Sequence, residues 1–206
     1  MTQKLINDWL MIWVTIEPFS TLALFVSITA NMTPGERRKT ALKTTVYSAA
    51  ILLAAIVIGQ VILTAMNIRL VSFQIAGGII LFLFGLQMIF GVNTGVTAYQ
   101  SEKSHDIAVF PLAIPSLVGP EAIMAVILLT DNHIYPIKTQ AATALAMLSV
   151  LLITYLMLVL SDPILRVIGK NGAAILERIM GMILTALSVE LVMSGLGISQ
   201  WVTENI

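Results

Sequence analysis

Three carboxylates lie inside stretches otherwise too apolar to carry charge: Glu17 in Ile16-Glu17-Pro18, Glu121 in Val118-Gly119-Pro120-Glu121, and Glu190 in Val189-Glu190-Leu191. An ionised carboxylate at the centre of a bilayer costs about 3 kcal/mol even on the lenient insertion scale. Each must therefore face a polar cavity, hold a cation or proton, or lie near a membrane surface. Paired carboxylates at such depth can bind a substrate ammonium, take a coupling proton, bind a hard cation through oxygen, or activate water as acid and base. Hydrolysis is the weakest of these readings. The chain has no cysteine, and its two histidines, His105 and His133, sit in polar connections without an HExxH arrangement. Metal ligands, thiolate sites and disulfides are thus not expected, and neither is a cofactor.

Two of the three carboxylates are neighbours of prolines. Proline lacks an N–H and clashes with the preceding turn, so Pro115 and Pro120 together should break the helical ladder across Ser116-Leu117-Val118-Gly119. Pro111 reads equally well as a simple kink. Backbone groups freed at membrane depth cannot be satisfied by lipid, so the break must face protein or a water-filled cavity. A half-helix starting near Pro120 points N–H groups and a positive dipole end into that space, ready for a carboxylate. The break at Glu17-Pro18 would supply the facing half.

The elements that position these residues follow from composition. The 206-residue chain is 58% hydrophobic and 11% charged, with a mean hydropathy of +0.95, which marks an integral membrane protein. Formal net charge is zero and the basic residues form no single face, so no nucleic-acid partner is expected. Apolar runs near the 20 residues that a bilayer requires fall at 6–31, 43–67, 70–91, 107–131, 139–161 and 174–200. The first run shows no convincing signal-peptide cleavage site and reads as a mature span. The expectation is an all-α integral membrane fold with six transmembrane helices, broken in spans one and four, forming one membrane domain over residues 1–206.

Orientation follows from Lys and Arg at the span ends. Arg37, Arg38, Lys39, Lys43, Lys103, Arg166, Lys170 and Arg178 fall on one side, against Lys4, Arg69 and Lys138 on the other, which predicts both termini outside. Glu17-Pro18-Phe19-Ser20 matches Gly119-Pro120-Glu121-Ala122 at an offset of 102 residues, and Ile75-Ala76-Gly77-Gly78-Ile79 matches Ile179-Met180-Gly181-Met182-Ile183 at 104. These offsets predict a three-plus-three inverted repeat, with halves at about 1–95 and 104–206. Gly77, Gly78, Gly85 and Gly181 read as close-packing positions. Glu190, roughly 18 Å along its helix from Arg178, needs another partner: Gln87, Gln60 or a proton.

The runs EPFSTLALFVSIT, FQIAGGII, VFPLAIPSLVGPEAI and ERIMGMILTALSVELVMSGL follow one another with the spacing of the MarC family. The chain resembles that family over nearly its whole length, and the family looks related to LysE-type exporters. The resemblance implies a multi-pass protein of the bacterial inner membrane that exports small neutral amino acids such as alanine, glycine or serine. It puts Glu17, Pro18, Ser20 and Thr21 where the family usually has Asn or Asp, then Pro and a Gly-containing turn. Pro115, Ser116, Gly119 and Pro120 match the second motif directly. Glu121 replaces what is more often a small uncharged residue.

The substrate site expected from this combination comprises Glu17, Pro18, Ser20, Thr21, Ser116, Gly119, Pro120 and Glu121, with Glu190 and Gln87 as further polar groups in a coupling or structural role. The expected partners are a neutral amino acid, membrane lipid and, as an open alternative, a second copy of the chain. Competing expectations are a proton-coupled or divalent-cation transporter using Glu17 and Glu121, an intramembrane hydrolase, and a membrane protein that transports nothing.

Overall fold

The structure is a computed structural model that describes residues 2–90 and 106–198. Lys103, His105, Gly91 and the join between the two expected halves lie outside the described residues, as do the side chains of Arg166, Lys170 and Glu177. Everything described is helix, turn or coil, with no strand. In chain order the helices are α1 (Thr2–Ile16), α2 (Pro18–Ile28), α3 (Pro34–Ala65), α4 (Leu70–Phe90), an irregular helical segment (Ala108–Leu117), α5 (Pro120–Leu129), α6 (Ile137–Val159) and α7 (Ser161–Gly195). Each half of the chain therefore runs short, short, long, long.

Local chemistry sets the ends of these elements. Thr33 and Glu36 form a reciprocal capping box at the start of α3, with Pro34 in the first helical position. Asn67, left-handed at φ 57, closes the same helix: Ile68 N–H bonds to Leu63 O at 2.9 Å and Asn67 N–H to Thr64 O at 3.1 Å. Gly197 at φ 73 ends α7 in the same way. The half-helices α2 and α5 both begin at a proline, and each ends in a threonine that bonds back one turn, Thr29 to Phe25 O and Thr130 to Val126 O.

Four helical runs are long and apolar enough to cross a bilayer: Thr2–Ile28, Pro34–Ala65, Leu70–Phe90 and Ile137–Val159. The bent pair Ala108–Leu117 and Pro120–Leu129 makes a fifth, with an angle of 58° at its break. Helix α7 runs antiparallel along α4. A Cβ on Gly78 would meet Val192 and Ser188, on Gly85 would meet Thr185 and Gly181, and on Gly195 would meet Ile75 and Val71. Absent side chains at Gly78, Gly85 and Gly181 let these backbones approach closely. Gly77 faces elsewhere: its Cα abuts Met124 of α5.

The main core gathers Ile12, Ile16, Leu52, Leu117, Val118, Ala122, Val126, Met147, Val150 and Leu151 from α1, α3, α5, α6 and the irregular segment. The outward surface is equally oily, with Val57, Val61, Phe90, Ile137 and Leu145 among the exposed side chains. A protein apolar inside and out requires lipid around it.

Candidate functional site

The two breaks differ in kind. In the first half a single residue, Glu17 at φ 51 and ψ 61, separates α1 from α2. In the second half the disruption is longer. Phe110 and Ile114 are both extended, at φ −133, ψ 121 and φ −121, ψ 125, and each precedes a cis-proline, Pro111 and Pro115. The simple-kink reading of Pro111 is corrected. A residue before proline is pushed out of the helical region, and the sequence Phe110-Pro111-Leu112-Ala113-Ile114-Pro115 applies that rule twice.

Thr21, fully buried in the first turns of α2, connects the two breaks. Its hydroxyl lies 2.9 Å from Ser116 Oγ and 3.2 Å from Ser116 O. Pro18 and Pro120 head the two half-helices, and Gly119 caps α5 in an extended conformation, φ −77 and ψ 168. Ser20 is half-buried, and its hydroxyl makes no hydrogen bond among the described residues. Glu121, 3% exposed, stands in the first turn of α5, and its Oε2 also lacks a partner there. The break and the C-terminal end of α5 leave carbonyls outside the helical ladder, and side chains of the first half donate to them. Thr44 donates to Ala108 O at 3.1 Å, Thr21 to Ser116 O, Gln60 to Ile127 O at 2.9 Å and Lys4 to Leu129 O at 3.3 Å.

Glu190 does not join this group. It is exposed on α7, at the level of Gly78. Gln60, one of its expected partners, is buried and committed to Ile127. Gln87, the other, lies one residue from Met88, which packs against Gly181. That register leaves it roughly 14 Å along the helix from Glu190. A coupling role for Glu190 through either glutamine is therefore corrected.

Sequence reasoning did not find the polar ties at the two ends of the molecule. At one end Lys4 pairs with buried Asp8 at 2.5 Å, Thr143 donates to Asp8 at 2.6 Å, and the Lys4 ammonium lies 4.0 Å over the Tyr135 ring. At the other, Arg37 grips both oxygens of Asp162 at 2.8 and 2.7 Å and donates to Ser161 at 2.9 Å, while Lys43 pairs with Asp106 at 2.7 Å. The hydrogen bond from Lys43, then that from Ala108 N–H, holds the Asp106 carboxyl below its usual range. Only the polar character of these residues in span-flanking positions signalled them. Among the described residues no group of three or more His, Cys, Asp or Glu side chains could hold a metal ion.

A family model described as MarC family integral membrane protein matches residues 2–200. A UPF0056 membrane protein of Methanocaldococcus jannaschii is 37% identical over 88% of this chain and 90% of its own length. One from Buchnera aphidicola is 31% identical over 94% of this chain and 96% of its own. The UPF0056 inner membrane protein MarC of Escherichia coli is 31% identical over 87% of each. No solved structure matches. With the family model covering nearly every residue and relatives matching over most of their length, the chain belongs to the MarC family of integral membrane proteins.

Proposed function

We propose that this protein is a secondary transporter of small neutral amino acids of the alanine, glycine and serine class, working by alternating access between two inverted halves in a bacterial inner membrane, with both termini outside and export as its direction. The observation that carries the reading is the hydrogen-bonded meeting of Thr21 and Ser116, which brings together two half-helices that start inside the fold. A zwitterion needs a positive end for its carboxylate and a polar group for its ammonium. Half-helix N-termini at Pro18 and Pro120 provide the first, and nearby hydroxyls and carboxylates provide the second. The repeated order of short and long helices and the polar ties at opposite ends support a rocking motion of one half against the other. The name of the Escherichia coli relative supports the inner-membrane placement.

The test is alanine counterflow in proteoliposomes, with glycine, serine, leucine and divalent cations as competitors. Saturable exchange inhibited by glycine and serine and lost in Thr21→Val with Ser116→Ala is expected. Exchange of no amino acid, or competition by cations alone, removes the reading.

A further inference from the structure

In the reading above a substrate carboxylate docks at the N-terminal end of α5, yet a carboxylate already occupies that place. A Cβ on Gly119 would fall on the Oε1, Cδ and Oε2 atoms of Glu121, so this side chain is folded back over the start of its own helix. It lies within hydrogen-bonding reach of its own backbone N–H, while Oε2 has no partner among the described residues. Two anions cannot share one helix end at close range without strong repulsion. Leu117, Val118 and Ala122, next to that end in the chain, are buried and apolar, and the Thr21 and Ser116 hydroxyls at the break are within hydrogen-bonding distance of each other. A carboxylate displaced from that end loses the helix dipole and finds only neutral hydroxyls such as that of Ser20 as donors, a cost that a bound proton removes.

Apart from Glu17 at the opposing break, the other titratable groups around α5 lie away from this end. On the helices packed against α5, the titratable side chains of α1 are Lys4 and Asp8, tied to each other beside Leu129 at the far end of α5. Those of α3 are Glu36, Arg37, Arg38, Lys39, Lys43 and Tyr47, all in its first four turns; α4 has none, and α6 has Lys138 and Tyr155. Glu17, at the opposing break, and Asp131, His133 and Tyr135, beyond the C-terminal end of α5, complete the set.

We infer that Glu121 carries the coupling proton: substrate carboxylate and Glu121 compete for the helix end at Gly119, and the displaced carboxyl crosses with a proton in the same direction as the amino acid, so that export by this route is driven by an outward amino-acid gradient and not by the proton-motive force. This rests on the transporter reading. The proton comes from the water on the side where substrate enters and bonds to a Glu121 oxygen. It leaves on the other side when the substrate departs and the carboxylate returns to its helix.

The experiment uses the full-length protein in proteoliposomes holding an internal pH dye, with alanine counterflow measured in parallel without a pH gradient. An inward alanine gradient should acidify the lumen in the wild type. In Glu121→Gln the acidification should fall to background while counterflow continues at a reduced rate. Wild-type counterflow without proton movement, or unchanged acidification in Glu121→Gln, overturns the inference. Absence of wild-type counterflow overturns the transporter reading instead, and the inference with it. Should Glu121→Gln fail to purify as a monodisperse protein, Glu121→Asp replaces it: retained coupling with a displaced pH profile is expected, and an unmoved profile counts against Glu121. Infrared difference spectra supply a readout without flux. A protonated-carboxyl band should appear on adding alanine to the wild type, and its absence contradicts the mechanism.

Discussion

Glutamate at φ 51 and ψ 61 costs backbone energy that Asn, Asp or Gly would largely avoid, because their side chains either hydrogen-bond locally or are absent. The family resemblance places Asn or Asp at this position, and the left-handed hinge explains why. Replacing Glu17 by Asn should raise thermal stability by about 1 kcal/mol, measured by thermal unfolding in detergent. Counterflow by the same variant then separates a backbone role from a substrate role. Thr21 makes the opposite case. Thr21→Val leaves Ser116 O without its donor and should cost about 1–3 kcal/mol, whereas Thr21→Ser retains the hydroxyl and should stay near wild type.

Among the elements, the contact of α4 with α7 depends on missing side chains. A Cβ on Gly85 would sit 2.8 Å from Gly181 O and 2.9 Å from Thr185 N, both backbone atoms that cannot rotate away. Gly85→Ala should therefore lower the unfolding midpoint. Gly35→Ala, where nothing lies within 4 Å, should leave it unchanged or slightly raised. This glycine packing was legible from spacing alone, and so was a break near Pro115 and Pro120. The double break at Pro111 and Pro115 is hidden when one proline is read as a kink, because the extended residues before the prolines, Phe110 and Ile114, make it. Sequence marks Gln60 as a polar group in an apolar span but not that its partner is Ile127 O in the last turn of α5. Glu190 looked central because depth along a helix is readable, while the face it occupies depends on packing against α4.

Taken as a whole, the molecule is tied across its two halves at both ends. Arg37 and Asp162 join α3 to α7, and Asp8 and Thr143 join α1 to α6. Because the natural chain has no cysteine, paired substitutions introduce the only thiols. Bridging Arg37→Cys to Asp162→Cys with a short bifunctional reagent should stop counterflow if the halves rock, and reduction of a cleavable bridge should restore it. The Lys43–Asp106 tie has a defined pH dependence. With the Asp106 carboxyl held low, its contribution is complete above the ordinary carboxylate pKa of about 3.9 and disappears as pH falls through the lower folded value. Comparing wild type with Asp106→Asn should therefore show a constant, small difference in unfolding midpoint from neutral pH to pH near 5, converging in stronger acid.

The four carbonyls of Ala108, Ser116, Ile127 and Leu129 all accept hydrogen bonds from residues synthesised earlier, Thr44, Thr21, Gln60 and Lys4. During biogenesis the N-terminal half thus reaches the membrane before the segment whose exposed peptide groups it must receive. Order of synthesis then works as a folding aid: the broken span enters next to donors already waiting for it. Expressed without that half, residues 104–206 would present those groups to lipid and should be cleared by membrane quality-control proteases, while co-expression with residues 1–95 should rescue their accumulation.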